Sequence, residues 1–210
     1  MRILYIDTSS SYLYTAIVEN NNVLAEIKEE FGQSLSEVAL PRIVSMFEDT
    51  KLSPKDIDKI IVVNGPGSFT GIRIGITIAK VYAWSLNIPI TTIYSLEAMA
   101  ISSKEKKYHV PIINARRGYV FTAIYDENYN VVLKPCHILL TDLQDKLKDI
   151  DNYEYISNDE FDDLEVNNYS PDMAKVVDYF KDKECINPHA VNPEYLKLTE
   201  AEESKLWFMN

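Results

Sequence analysis

A chain of 210 residues, 46% of them hydrophobic and 25% charged, is long enough for one large or two small cores, which excludes disordered, collagen-like and coiled-coil architectures. Cys136 and Cys185 are too few for a disulfide framework and too far apart for a CxxC motif, so a reduced, cytoplasmic protein is expected. The formal net charge of −11 sits in the tail: residues 1–140 hold 14 acids and 14 bases, residues 141–210 hold 18 and 7, and no basic stripe exists to grip a phosphate backbone unaided.

MRILYIDTSS reaches Asp7 after a short apolar run, unlike a signal peptide, and no stretch approaches the roughly 18 apolar residues of a membrane helix, so no membrane contact is expected. Residues 3–6, 12–18 and 23–27 read as a strand meander, the last two joined by the turn Asn20-Asn21-Asn22. Leu35, Ala39, Ile43 and Met46 recur at helical spacing over residues 34–47, with Pro41 inside the pattern. Ser53-Pro54 opens a short helix, and residues 60–63 form a β-branched run suited to a strand buried on both faces. A helix follows to about Leu86, then a strand over residues 90–94.

The polar stretch over residues 102–107 reads as a link to a second unit, which opens with strands at 110–113, 120–125 and 131–133. Helices are expected after Thr141 and from the pair Ser170-Pro171. Residues 151–172 carry eight acids and no Lys or Arg and read as a solvated acidic face over a few anchoring apolar residues. Two units that each begin with strands and add helices suggest a duplicated architecture.

Four of the six glycines, Gly65, Gly67, Gly71 and Gly75, fall within GPGSFTGIRIG, after a strand and at the start of a helix, where N–H groups and the helix dipole favour an anion. The loop is neither a Walker nor a Rossmann loop: it has no Gly-Lys-Ser/Thr, Pro66 removes an N–H, and no acid stands about 20 residues on. The tip Asp7-Thr8-Ser9-Ser10 could hold magnesium or approach phosphate, or form a tight turn closed by local hydrogen bonds. The helix from Thr70 to Leu86 carries only Arg73 and Lys80 as charges, so it is either central to the core or covered by another chain. His109, His137 and His189 fit no metal pattern, and neither cysteine has a nucleophile's motif. Asn114-Ala115-Arg116-Arg117-Gly118 is a turn whose arginines either bind an acidic partner or stay solvated.

MRILYIDTSS, NGPGSFTGIRIG, INARRGYVF and PEYLKLTEAE resemble, in order and spacing, the bacterial TsaB (YeaZ) family of tRNA threonylcarbamoyladenosine biosynthesis proteins. The resemblance implies an α/β fold of two actin-like (RNase H-like) lobes, each a mixed sheet with an N-terminal strand meander plus helices. The lobes would be residues 1–103 and 104–191, with a C-terminal helix over about 192–210 packing back on the first. It implies a non-catalytic subunit that binds and activates a TsaD-like catalytic subunit, with a TsaE-like ATPase and with tRNA met indirectly through the complex. A homodimer in isolation is the other pairing open to it.

By resemblance, Asp7, Thr8, Ser9, Gly65, Gly67 and Ser68 are the nucleotide- or anion-facing set. Thr70, Gly71, Ile72, Arg73, Gly75, Ile76, Ala79, Lys80 and Ala83 are the expected partner interface. No catalytic residue, metal or tightly bound cofactor is expected, with ATP or ADP possible at the level of the complex. Leu35 stands where the family often has His before Ser-Glu, and Asn114 where it usually has Asp. The competing reading is a self-sufficient nucleotide-dependent phosphotransferase or ATP hydrolase, with Asp7 holding the metal.

Overall fold

The computed structural model describes residues 1–31, 34–103 and 106–197. Strands β1 (Arg2–Asp7), β2 (Tyr12–Glu19) and β3 (Asn22–Glu30) form the expected meander, and Asn20 and Asn21 close its second turn in the left-handed conformation that Asn tolerates. Helix α1 (Leu35–Thr50) runs through Pro41, a short 3-10 turn follows at Pro54–Asp56, and β4 (Lys59–Val63) is buried at every position. Helix α2 (Phe69–Leu86), strand β5 (Ile90–Ile93) and helix α3 (Ser95–Ser102) complete the first half.

The second half repeats the scheme with β6 (Tyr108–Asn114), β7 (Tyr119–Asp126), β8 (Val131–Leu139), α4 (Leu140–Leu147), β9 (Tyr153–Ser157), β10 (Val166–Asn168) and α5 (Met173–Phe180). The first sheet has the order β3-β2-β1-β4-β5 and the second β10-β9-β6-β7-β8. In each, a three-stranded antiparallel meander is continued by two parallel strands on its first strand, so the duplication expected from the order of elements is present in the pairing.

Both faces of the first sheet are covered, which is why β1 and β4 are apolar at successive positions rather than at alternate ones. Leu4, Ile6, Ile60 and Val62 pack beneath α1 and α2. Ile3, Tyr5, Ile61 and Val63 face a middle layer, where α3 and α5 meet residues of the second sheet such as Ala123, Tyr125 and Ile156. Helix α4 covers the outer face of the second sheet through Leu143 and Leu147.

Three differences from the sequence reading follow from this layering. Helix α3 was not anticipated. The acidic stretch 151–172 contains β9, four of whose five residues are buried, because the carboxylate of Glu154 is satisfied by the hydroxyl of Ser103, Nδ1 of His109 (2.9 Å) and the amide of Asn167 (2.6 Å). Helix α5 starts at Met173, capped by Asp172, and not at Ser170-Pro171.

The chain also returns to the first sheet well before residue 192. Helix α5 packs on β1, β2 and β3. Nζ of the buried Lys59 then donates to the carbonyls of Lys181 (2.7 Å) and Lys183 (2.6 Å), and Val191 is fully enclosed. Residues 192–197 run on without regular structure, and the remainder of the expected C-terminal helix lies outside the described residues.

Candidate functional site: the strand tip, the glycine loop and the interlobe cleft

Strand β1 ends in a turn that folds its polar groups onto one another. Oδ1 of Asp7 accepts from the amide (2.8 Å) and hydroxyl (2.7 Å) of Ser9, and the hydroxyl of Tyr5 stands 3.4 Å from Oδ2. Burial pushes the carboxyl above its ordinary range, an effect the Ser9 and Tyr5 hydrogen bonds only partly offset. The hydroxyl of Thr8 donates to the carbonyl of Gly71 (2.7 Å), and the amide of Ser68 donates to the carbonyl of Ser9 (2.7 Å). Ser68 caps α2 by accepting from the amide of Gly71 (3.2 Å).

The glycines serve this interlock. Gly65 and Gly67 have φ of +118° and +149°, a region L side chains rarely adopt. A Cβ on either would come closer than 3.0 Å to backbone, the Glu194 carbonyl for Gly65 and the Ser9 carbonyl for Gly67. Gly71 and Gly75 admit Thr8 in the same way. The close approach read from the glycine cluster is therefore an approach of the chain to itself.

Above the tip lies a cleft of about 640 Å³ between the lobes. Ser9, Gly67 and Ser68 line it on one side, Asn114, Arg116 and Phe121 on the other. Of the residues expected to face a nucleotide, Asp7, Thr8 and Gly65 do not line this cleft; they are buried behind it. Asp7 is thus enclosed by Ser9 and Tyr5 and set back from the cleft. Sequence reasoning missed the aromatic walls, including Tyr12, Phe69 and Phe121, and the interlobe bond from the Asn158 amide to the Tyr14 hydroxyl (2.8 Å). The signal available for them was the alternation of Tyr119 and Phe121 along a strand.

Helix α2 is two-faced. Gly71, Ile72, Gly75, Ile76, Ala79 and Ala83, six of the nine positions expected to meet a partner, are enclosed in the chain's own core. The helix looked apolar all round because both this buried face and the outer one are. On the outer face Thr70 and Arg73 are exposed, with Val81 (58% exposed) and Trp84 (65%); nearby on α1, Leu40 (54%) and Val44 (46%) are also open. Arg73 donates from Nε to the hydroxyl of Tyr195 (2.9 Å) and lies 3.8 Å from the centre of the Phe69 ring. Lys80 is held by the carbonyls of Val191 (2.9 Å) and His189 (3.3 Å). The two charges thus tie down the returning C-terminal segment.

The family model for TsaD, tRNA N6-adenosine threonylcarbamoyltransferase, matches residues 21–196. A Bacillus subtilis protein named tRNA threonylcarbamoyladenosine biosynthesis protein TsaB is 34% identical over 221 aligned positions, covering 96% of both chains. The chain belongs to the TsaB family. The Escherichia coli TsaB is 32% identical over 133 positions, 62% of this chain and 57% of that one. The solved structure of YeaZ from Pseudomonas aeruginosa superposes with a TM-score of 0.76 at 16% identity, covering 93% of this chain and 99% of that one, which shows the shared two-lobed fold. Leu35, where TsaB chains often carry His, is buried beneath the first sheet, and Asn114 accepts at Oδ1 from the Arg116 amide (2.8 Å). No described helix is long and apolar enough to cross a membrane.

Proposed function

We propose that this TsaB-family chain is a non-catalytic subunit in the biosynthesis of threonylcarbamoyladenosine on tRNA, and that it works by docking a TsaD-like catalytic subunit. The observation that carries the reading is the outer face of α2 with its neighbour α1, where Val81, Trp84, Leu40 and Val44 are open on a helix pair whose other side is fully packed. Exposed aromatic and aliphatic side chains on two helices packed against each other are the composition of an interface core rather than of a solvated surface. The self-satisfied tip speaks against independent phosphoryl chemistry, since the Asp7 carboxylate is buried, bonded to Ser9 and set back from the cleft lining. Nucleotide, and a TsaE-like ATPase, would then act at the level of the complex.

The test is sedimentation velocity of the chain alone and mixed with the TsaD relative from the same genome. A species of heterodimer mass is expected, lost in Trp84→Glu and Val81→Glu while each variant keeps its circular dichroism spectrum. Two chains that sediment independently overturn the reading. A homodimer of the chain alone that the same substitutions dissociate identifies the face as an interface and is expected to be displaced by the partner.

A further inference from the structure

We propose that the rim of the interlobe cleft on the second lobe, formed by the Arg116-Arg117 turn and the Tyr119, Phe121 and His137 rings, is a stacking platform for an unpaired nucleotide of RNA. Tyr119 and Phe121 stand two apart on β7, so both project from the same face, and His137 is the direct cross-strand partner of Phe121 on β8. The Tyr119 and His137 rings are stacked, 4.7 Å between centroids and 10° between planes, and the Phe121 ring lies 5.2 Å from His137. Tyr119 is 38% exposed, so the cluster ends in an open aromatic face. Stacking on such a face holds any base, because every base has a π surface.

The turn beside it supplies the charge. Arg116 and Arg117 both have positive φ, +67° and +54°, a conformation costing an ordinary L residue about 1 kcal/mol or more, and one that Asn or Gly would adopt more cheaply. The turn is anchored, with the Asn114 amide donating to Asp159 (2.7 Å). Both arginines are exposed, and neither guanidinium has a hydrogen-bond or ion-pair partner among the described residues. Two exposed arginines on the turn that leads into a stacked aromatic cluster match a phosphate next to a base. An acidic protein segment would use the arginines and leave the open ring without an occupant. In a chain of net charge −11 such a contact is local, and it contributes orientation more than affinity.

The inference rests on the proposed role in tRNA modification, and its test does not require the partner subunit. Fluorescence anisotropy of the full chain is measured against a labelled, unstructured single-stranded RNA oligonucleotide across a salt series. Saturable binding is expected, weakened at least about fivefold in Tyr119→Ala and restored in Tyr119→Trp, as base stacking requires. The double substitution Arg116→Gln, Arg117→Gln is expected to flatten the salt dependence by about 1 in log–log slope, the equivalent of one to two phosphate contacts. These turn positions are exposed, so binding indifferent to this variant overturns the proposal even if Tyr119→Ala unfolds. No binding by the unaltered chain, or binding indifferent to both substitutions, overturns the proposal. Sensitivity to the arginines alone, with Tyr119→Ala folded and unchanged, also overturns it and leaves the turn as a phosphate contact without a stacking platform. Failure to sediment with the TsaD-like partner would sink the docking reading and leave this measurement intact.

Discussion

Asp7 is an acid held where water does not reach, at the end of the first strand, with its carboxylate given over to Ser9 and Tyr5. Because burial raises its folded pKa, the folded state holds this proton more tightly than the unfolded chain does. Its ionisation therefore removes stability as pH climbs from the ordinary carboxylate value of about 3.9 to the raised folded one. Asp7→Asn keeps an acceptor for Ser9 and is expected to melt at or above the unaltered chain's temperature at neutral pH. In thermal melts over a pH series the two should converge at low pH, where both carry a neutral side chain; a large loss at neutral pH would contradict this account. Gly67 makes the complementary case. Gly67→Ala needs both a rare φ and a displaced Ser9 carbonyl, and is expected to cost about 2–5 kcal/mol in denaturant unfolding. The clustering of glycines made this loop legible in the sequence. Which backbone approaches it was not, since a phosphate and a neighbouring strand tip ask the same thing of a glycine.

Helices and strands were legible in proportion to how one-sided their burial is. The meander β1 to β3, the run of β4 and the extent of α2 follow from alternation, β-branching and the capping residues around them. Helix α3 escaped because it is short and enclosed between two sheets, with six of its eight residues buried, so no amphipathic period survives in SLEAMAIS. The one signal was Glu97, whose carboxylate accepts from the Tyr94 amide (2.8 Å) three residues before it. Strand β9 escaped because Glu154 made it look solvated. Burial alone would raise the pKa of Glu154, but hydrogen bonds from Ser103, His109 and Asn167 hold it below the usual range. The carboxylate thus contributes stability that is complete above its unfolded pKa of about 4.3 and is lost as pH falls through the lower folded value. Glu154→Gln leaves the three donors around a neutral amide, and an expected cost of about 1–3 kcal/mol at neutral pH, shrinking on acidification, can be read from urea midpoints.

At the scale of the whole molecule the two sheets share one strand order, yet the chain does not form two separate bodies. Helix α5 comes after the second sheet and packs against the first, and the segment beyond it passes Lys59, β5 and α2 before reaching the glycine loop, where the Glu194 amide donates to the Asn64 carbonyl (2.7 Å). Ending the chain at Ile186 removes buried Val191, the carbonyls that hold Lys80 and the Tyr195 ring stacked on Phe69. A fall of about 5–10 °C in the melting temperature is expected, from a loss of about 2–3 kcal/mol in a chain of this size. The same threading sets an order of events during synthesis. When residue 103 leaves the ribosome the first sheet has all five strands, but the face that will receive Met173, Val176 and Phe180 is still bare. At elongation rates of about 5–20 residues per second, that apolar face waits on the order of 5–15 s for its cover, and the nascent chain is open to chaperones throughout that interval.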